Sequence, residues 1–214
     1  MPNGSLSVFI RSLTKAAQST GPDTSCTYNE YGNVKTLMVR EGNPLAYLVS
    51  VKRRNEMIGI QLHIPNECGQ YLNQILAGLI QKTSYWLIND TEIIVKDECF
   101  SPLFPQNFYN GDDFKNIIST QEYYIVRAKI QCFYSKDDVE ELISYEDYQC
   151  RSSQLVLFID DSDKVCVLAK NVNWLLKILK HAPQKTVKNI RLIGEDELDE
   201  IKTLFSQHTQ GYTY

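Results

Sequence analysis

The 214-residue chain lacks most of the patterns that announce a chemistry. No apolar run approaches the roughly 20 residues that a membrane-spanning helix needs, so a membrane protein is not expected. There is no C-x-x-C pair, and His63, His181 and His208 stand at zinc-ligand spacing from none of the six cysteines. Neither a metal nor a cofactor is therefore expected. Gly111-Asp112-Asp113 lacks the glycine framework and lysine of a phosphate loop and reads as a helix start. The longest basic run is Lys52-Arg53-Arg54, too short for a nucleic-acid stripe. The N-terminus has a short apolar centre followed, rather than preceded, by a cation, which argues against a secretory signal and for a cytoplasmic protein.

What remains is an ordinary globular composition with 43% hydrophobic and 22% charged residues, enough for one good core or two small ones. Charge divides it. Residues 1–56 carry seven Lys/Arg against four Asp/Glu, whereas residues 57–214 carry 15 against 22. An acidic body repels phosphate backbones, so no nucleic-acid partner is expected. Cys26, Cys68, Cys99, Cys132, Cys150 and Cys166 are scattered singly through a chain too large to depend on staples, and they read as reduced thiols.

Residues 1–56 are polar and weakly periodic. "SLSVFIRSLTKAA" suggests a short helix, "STGPDTSCTYNEYGN" a loop, and "VKTLMVREGNPLAYLVSV" two strands around a turn. This segment is expected to be an extension, either loosely structured or a small docked hairpin. From Met57 the periodicity sharpens into a domain expected over 57–206, with 207–214 as a frayed tail. "MIGIQLHI" reads as a strand and "PNECGQYLNQILAGLI" as a helix starting near Asn66 or Glu67. "SYWLINDTEIIV" reads as a hairpin about Asn89-Asp90, "FSPLFPQNFYNG" as a loop, and "GDDFKNIIST" as a helix. "EYYIVRAKIQCFY" is the longest strand, and "SKDDVEELISYEDYQC" reads as a helix from Ser135 or Asp137. "QLVLFID" and "KVCVLAK" flank an Asp-Ser-Asp turn, followed by a helix, a strand and a last helix.

The string is β-α-β-β-α, then β-α-β-β-α, then β-α. It predicts an α+β fold, a mostly antiparallel sheet with helices covering one face, and suggests pseudo-duplicated split β-α-β (ferredoxin-like) units.

Three groups of residues invite a functional reading, each beside a plainer one. Asp160, Asp161 and Asp163 form an acidic loop that a hard cation would suit, but the Ca²⁺-loop glycine and distal glutamate are missing, and Asp and Ser also close hairpin turns. The plain turn is preferred. Cys68 stands at a helix start a few residues after His63, where a thiol could be activated, although a core cysteine and a surface histidine explain the same residues. Tyr145, Glu146, Asp147, Tyr148 and Arg151 combine aromatic and charged groups suited to a ligand or partner surface, or simply make a helix covering the sheet.

The segments "GIQLHIPNECGQYLNQIL", "YWLIND", "AKIQCFY", "SYEDYQCRSSQLVLFIDDS" and "VCVLAK" resemble, in order and spacing, an uncharacterised family of small cytoplasmic proteins from Bacillus-type bacteria, domain of unknown function 2691. The resemblance covers about Met57 to Leu204 and implies a compartment and a boundary, with no residue roles. The expected function is a cytoplasmic, non-enzymatic module that binds another protein. The alternative is a small enzyme or ligand binder with a pocket near Cys68 and His63 or the Tyr145–Tyr148 segment. The codons for Lys52 to Met57 can contain a ribosome-binding sequence before an ATG, so translation is also expected to be able to start at Met57.

Overall fold

A computed structural model describes residues 24–28, 34–39, 57–76, 78–96, 101–181 and 187–208. Within the N-terminal segment, Thr24–Tyr28 (β1) and Val34–Val39 (β2) pair antiparallel in a sheet of their own. The first strand lies in what reads as a loop, although Thr24, Cys26, Thr27 and Tyr28 are residue types compatible with a strand. The expected strand over residues 45–51, the expected N-terminal helix and the basic run lie outside the described residues.

The main sheet has seven strands. In chain order the elements are β3 (Met57–His63), α1 (Tyr71–Leu76), β4 (Tyr85–Val95), β5 (Phe108–Asn110) and α2 (Gly111–Thr120). There follow β6 (Tyr123–Phe133), α3 (Tyr145–Cys150), β7 (Leu155–Asp160), β8 (Lys164–Ala169), α4 (Val172–His181), β9 (Lys188–Gly194) and α5 (Leu198–Gln207), the last entered through a 3-10 turn at Glu195–Glu197. The spatial order is β5-β4-β6-β7-β8-β3-β9, with every neighbouring pair antiparallel. The fold is α+β. Strands β5 and β6 therefore run the same way on either side of β4, joined by α2, and β8 and β9 do so on either side of β3, joined by α4. These are two split β-α-β units at the two ends of the sheet. The repetition of element order does not extend to the pairing, because β6 abuts β7 whereas three strands separate β3 from β4.

Helices cover both faces rather than one. Leu72, Ile75 and Leu76 of α1, Phe114 and Ile118 of α2, and Trp174, Leu175, Ile178 and Leu179 of α4 pack with Ile60, Leu62, Trp86, Ile130, Leu157 and Val167 into the larger core. On the opposite face Tyr145 and Tyr148 of α3 and Ile201, Leu204 and Phe205 of α5 enclose Val156, Phe158, Cys166, Leu168 and Ile193. The central strands β7 and β8 are buried on both sides, which is why their sequences are nearly continuous apolar runs.

Two local readings change for a physical reason. "YWLINDTEIIV" is one strand, not a hairpin: its register against β6 shifts between Asn89 and Glu92, where Asp90 adopts a left-handed backbone (φ 44°). The bulge moves the apolar positions from Trp86 and Ile88 to Ile93 and Val95, keeping them on the larger core, and that jump in phase imitates a turn. A second shift, after Glu92, restores the register, and across it β6 passes from Tyr123 and Ile125 to Ala128, Ile130 and Cys132. The other change is that residues 135–144 are not helical. Leu142 gives its N–H to Gln131 Oε1 (3.0 Å) and its carbonyl accepts from Lys129 Nζ (2.5 Å), so its backbone groups are taken by β6 instead of by a helix. The expected 66–80 helix likewise shortens to α1, preceded by an irregular turn in which Gly69 bridges Tyr123. The loop reading of residues 100–111 omitted β5, which pairs with the start of β4.

Candidate functional site

The segment expected to bind a partner is held tightly by its own members. Ser144 opens α3: its hydroxyl accepts from the Asp147 N–H (3.0 Å), and the Asp147 carboxylate accepts from the N–H groups of Ser144 (3.2 Å) and Ile143 (3.1 Å). This reciprocal arrangement satisfies donors that a helix start leaves free. Desolvation opposes it, yet those donors and Arg151 hold the Asp147 carboxyl below its ordinary value. Arg151 lies 3.4 Å from Asp147 and also pairs with Glu140. Tyr145 and Tyr148 are buried against α5 and the sheet, while Glu146 is exposed and lies 3.2 Å from Lys202 of α5. The two tyrosines are thus core, and the charged members face outward.

Ahead of this helix the chain presents an acidic surface. Asp137, Asp138, Glu140 and Glu141 are all exposed. They lie between Tyr134 and Ile143, which are 46% and 57% exposed and are the large hydrophobic side chains most open to solvent among the described residues. Ile143 is held in place from both sides, by the Leu142 clamp and by its own N–H to Asp147.

At one end of the sheet the fold joins two features that lie 100 residues apart. His63 Nδ1 is 3.1 Å from Asp163 Oδ2, and the Ile64 N–H donates to the Asp163 carbonyl at 2.8 Å. Tyr124 donates its hydroxyl to Asn66 and reaches Ser162 Oγ at 3.1 Å. Asp161 and Ser162 have left-handed backbones (φ 51° and 65°) that close the β7–β8 turn, as the plain reading of the acidic loop expects. Among the described residues no three His, Cys, Asp or Glu side chains converge to hold a metal. Cys68 is exposed, and it precedes α1 instead of opening it. A carboxylate on Nδ1 fixes the imidazole orientation, an arrangement that can position a proton carrier.

Beneath α3 and α5 lies a polar seam that the sequence hides. Arg127, Lys129 and Gln131 alternate along β6 and turn toward the second layer. Gln131 donates to Asn89 Oδ1 (2.9 Å), and Lys129, fully buried, reaches Leu142 and lies 3.5 Å from Glu141. Burial pushes the Lys129 ammonium down from its ordinary pKa, opposed by Glu141, Asp90 and Asp147. Arg127 pairs with Asp90 and donates to the Gln207 carbonyl (3.2 Å). His208, expected in a frayed tail, is instead 2% exposed, with Nδ1 2.8 Å from Asp90 Oδ2. Alternating polar residues on a strand read as a solvent face, and only the second helical layer shows otherwise. An open depression lined by Asp199, Lys202, Thr203, Ser206 and Gln207 lies on α5, where Lys202 reaches Glu146 of the Tyr145–Tyr148 segment at 3.2 Å.

Among the described residues no helix is long and apolar enough to cross a membrane. Cys68 and Cys150 are free and exposed, whereas Cys132 and Cys166 are free and buried; burial pushes the Cys166 thiol up to about 12. A family model described as a protein of unknown function (DUF2691) matches residues 57–205. No curated protein and no solved structure matches the chain.

Proposed function

The chain belongs to the DUF2691 family of proteins of unknown function, and we propose that it is a cytoplasmic, non-enzymatic module that binds a basic protein partner through residues 134–151. The observation that carries this reading is Ile143, exposed yet held on both sides, within a rim of carboxylates. An apolar anchor whose backbone is already fixed loses little entropy on docking, and surrounding charge selects and steers a partner of opposite sign. The acidic balance of residues 57–214 extends that field beyond the loop. Exposed free thiols at Cys68 and Cys150 favour a reducing compartment. Glu146 and Arg151, two of the residues singled out in the sequence, belong to the rim, whereas Tyr145 and Tyr148 support it from below.

The test places a photo-crosslinking amino acid at position 143 and, as a control, at exposed position 115 on α2. The expected result is a discrete protein adduct from 143 that is absent from 115. The captured protein, once purified, should bind with an affinity that falls with added salt and drops at least about tenfold with Asp137→Lys and Asp138→Lys combined. Equal adduct patterns from 143 and 115 would overturn the proposal, as would an affinity unmoved by the charge reversal.

A further inference from the structure

The C-terminal helix is fastened at its last turn by a knot of three chain segments. His208 lies at the end of α5, its N–H donating to the Leu204 carbonyl (3.1 Å) and its ring 5.2 Å from Phe158 of β7. Asp90 comes from the bulge in β4 and Arg127 from β6, and Arg127 also holds the Gln207 carbonyl. The groups facing the imidazole are therefore Asp90 from β4, Arg127 from β6 and Asp160 from β7. Asp90 is already matched by Arg127. His208 Nδ1 lies 2.8 Å from Asp90 Oδ2, which favours the protonated ring, but Asp90 is shared with Arg127, so a proton added there would be a second buried cation beside the guanidinium.

We propose that His208 is an acid-sensitive latch: proton uptake releases α5 from the second face of the sheet while the seven-stranded sheet stays intact. Released, α5 no longer covers Tyr145, Phe158 and Cys166, and its own Ile201, Leu204 and Phe205 meet solvent. The helix contributes no strand to the sheet, so its departure breaks no ladder hydrogen bond. Desolvation, with a smaller contribution from Arg127, holds the His208 pKa below its ordinary value despite Asp90. In the released state the ring recovers that ordinary value, near 6.5. Release therefore binds a proton, and its equilibrium constant rises as pH falls below 6.5, by at most about tenfold per pH unit for one site. Two further ion pairs hold α5 to its surroundings, Lys202 with Glu146 and Glu200 with Arg191.

Hydrogen–deuterium exchange of the full chain, corrected for the intrinsic pH dependence of exchange, tests this. Between pH 7.5 and pH 5 the protection of residues 198–208 should fall at least about twofold relative to residues 155–169, and by no more than about thirtyfold for one site. In His208→Gln and His208→Phe that relative fall should disappear. Titration of the His208 ring by NMR in the unsubstituted protein provides a reading that needs no variant, and its apparent pKa should lie below that of an exposed histidine. A relative fall that persists in both variants would overturn the latch. So would simultaneous loss of protection across residues 155–169, which would mean global acid unfolding, or a His208 pKa at or above the ordinary value.

Discussion

Lys129 offers the sharpest test of how the second face is built, because two large effects oppose each other there. In Lys129→Met the chain keeps a long, flexible, apolar side chain in the same slot and loses only the ammonium. The Leu142 carbonyl then has no donor in its place, and a hydrogen bond to a charged group contributes about 1.5–3 kcal/mol. Against this, the fully buried ammonium no longer has to be desolvated, a penalty of several kcal/mol for an ion in a protein interior. Glu141, 3.5 Å away, is 42% exposed and solvates well on its own. The two effects nearly cancel, so Lys129→Met is expected within about 1 kcal/mol of the parent at pH 7, or more stable. The pH dependence then isolates the desolvation. Because the fold depresses the Lys129 pKa below 10.5, the unfolded chain binds the extra proton between the folded value and 10.5, and the stability of the parent rises with pH in that window. Each unit of depression corresponds to about 1.4 kcal/mol. Urea unfolding of both proteins from about pH 7 to pH 10 should therefore show the difference moving in favour of the parent as pH rises. Tyrosine titration is common to both chains and drops out of the difference. A difference that stays flat, or moves toward the methionine variant, would refute the claim that this lysine is held against its preference for water.

Two further substitutions probe the sites where local sequence and packing meet. A Cβ on Gly111 would stand 1.8 Å from the Gln81 carbonyl oxygen and 2.8 Å from Ser84 Oγ, the same hydroxyl that accepts from Trp86 Nε1, so Gly111→Ala must displace backbone. A loss of about 3 kcal/mol or more, seen as a melting temperature lower by about 6 °C or more, is expected; a shift under about 2 °C would contradict the contact. Ser144→Ala removes one half of the capping box of a six-residue helix and should cost about 0.5–2 kcal/mol in chemical unfolding, whereas Ser144→Asp, another good cap, should restore most of it.

Fold class and most elements were legible because their signals are local. The strands β7, β8 and β9 and the helices α2, α4 and α5 follow from apolar runs and from helical spacing that a neighbour cannot easily override. The failures share a cause. The Asn89-Asp90 bulge, the non-helical 135–144 loop and the burial of His208 are all set by polar side chains acting across long separations. Gln131 and Lys129 reach Leu142, and Arg127 and Asp90 meet at the end of α5. A periodicity argument sees only the chain's own neighbours, so it finds β6 as a strand without showing what covers its polar side. The candidate residues fared similarly. His63 and the Asp160–Asp163 loop each stood out alone, but nothing in a single sequence could pair His63 with Asp163. The exposed Ile143 was missed because one apolar residue among acids fits a helix face as well as it fits a loop.

The seam on β6 also ties together features that look separate. Phe205 of α5 lies over the Lys129 ammonium at 5.9 Å, and Lys129 in turn holds the Leu142 carbonyl next to Ile143. Lifting α5 would uncover Lys129 to water, where its charge is favoured, so the buried ammonium adds to the tendency to release that protonated His208 creates. Release would also loosen the Leu142 clamp, since a solvated lysine gains little by donating to one carbonyl. The rigid presentation of Ile143 would then depend on α5 being closed. An acid-opened latch and a docking surface that needs a fixed anchor are in this way opposed through one side chain, with the closed form favoured at neutral pH as the form that binds.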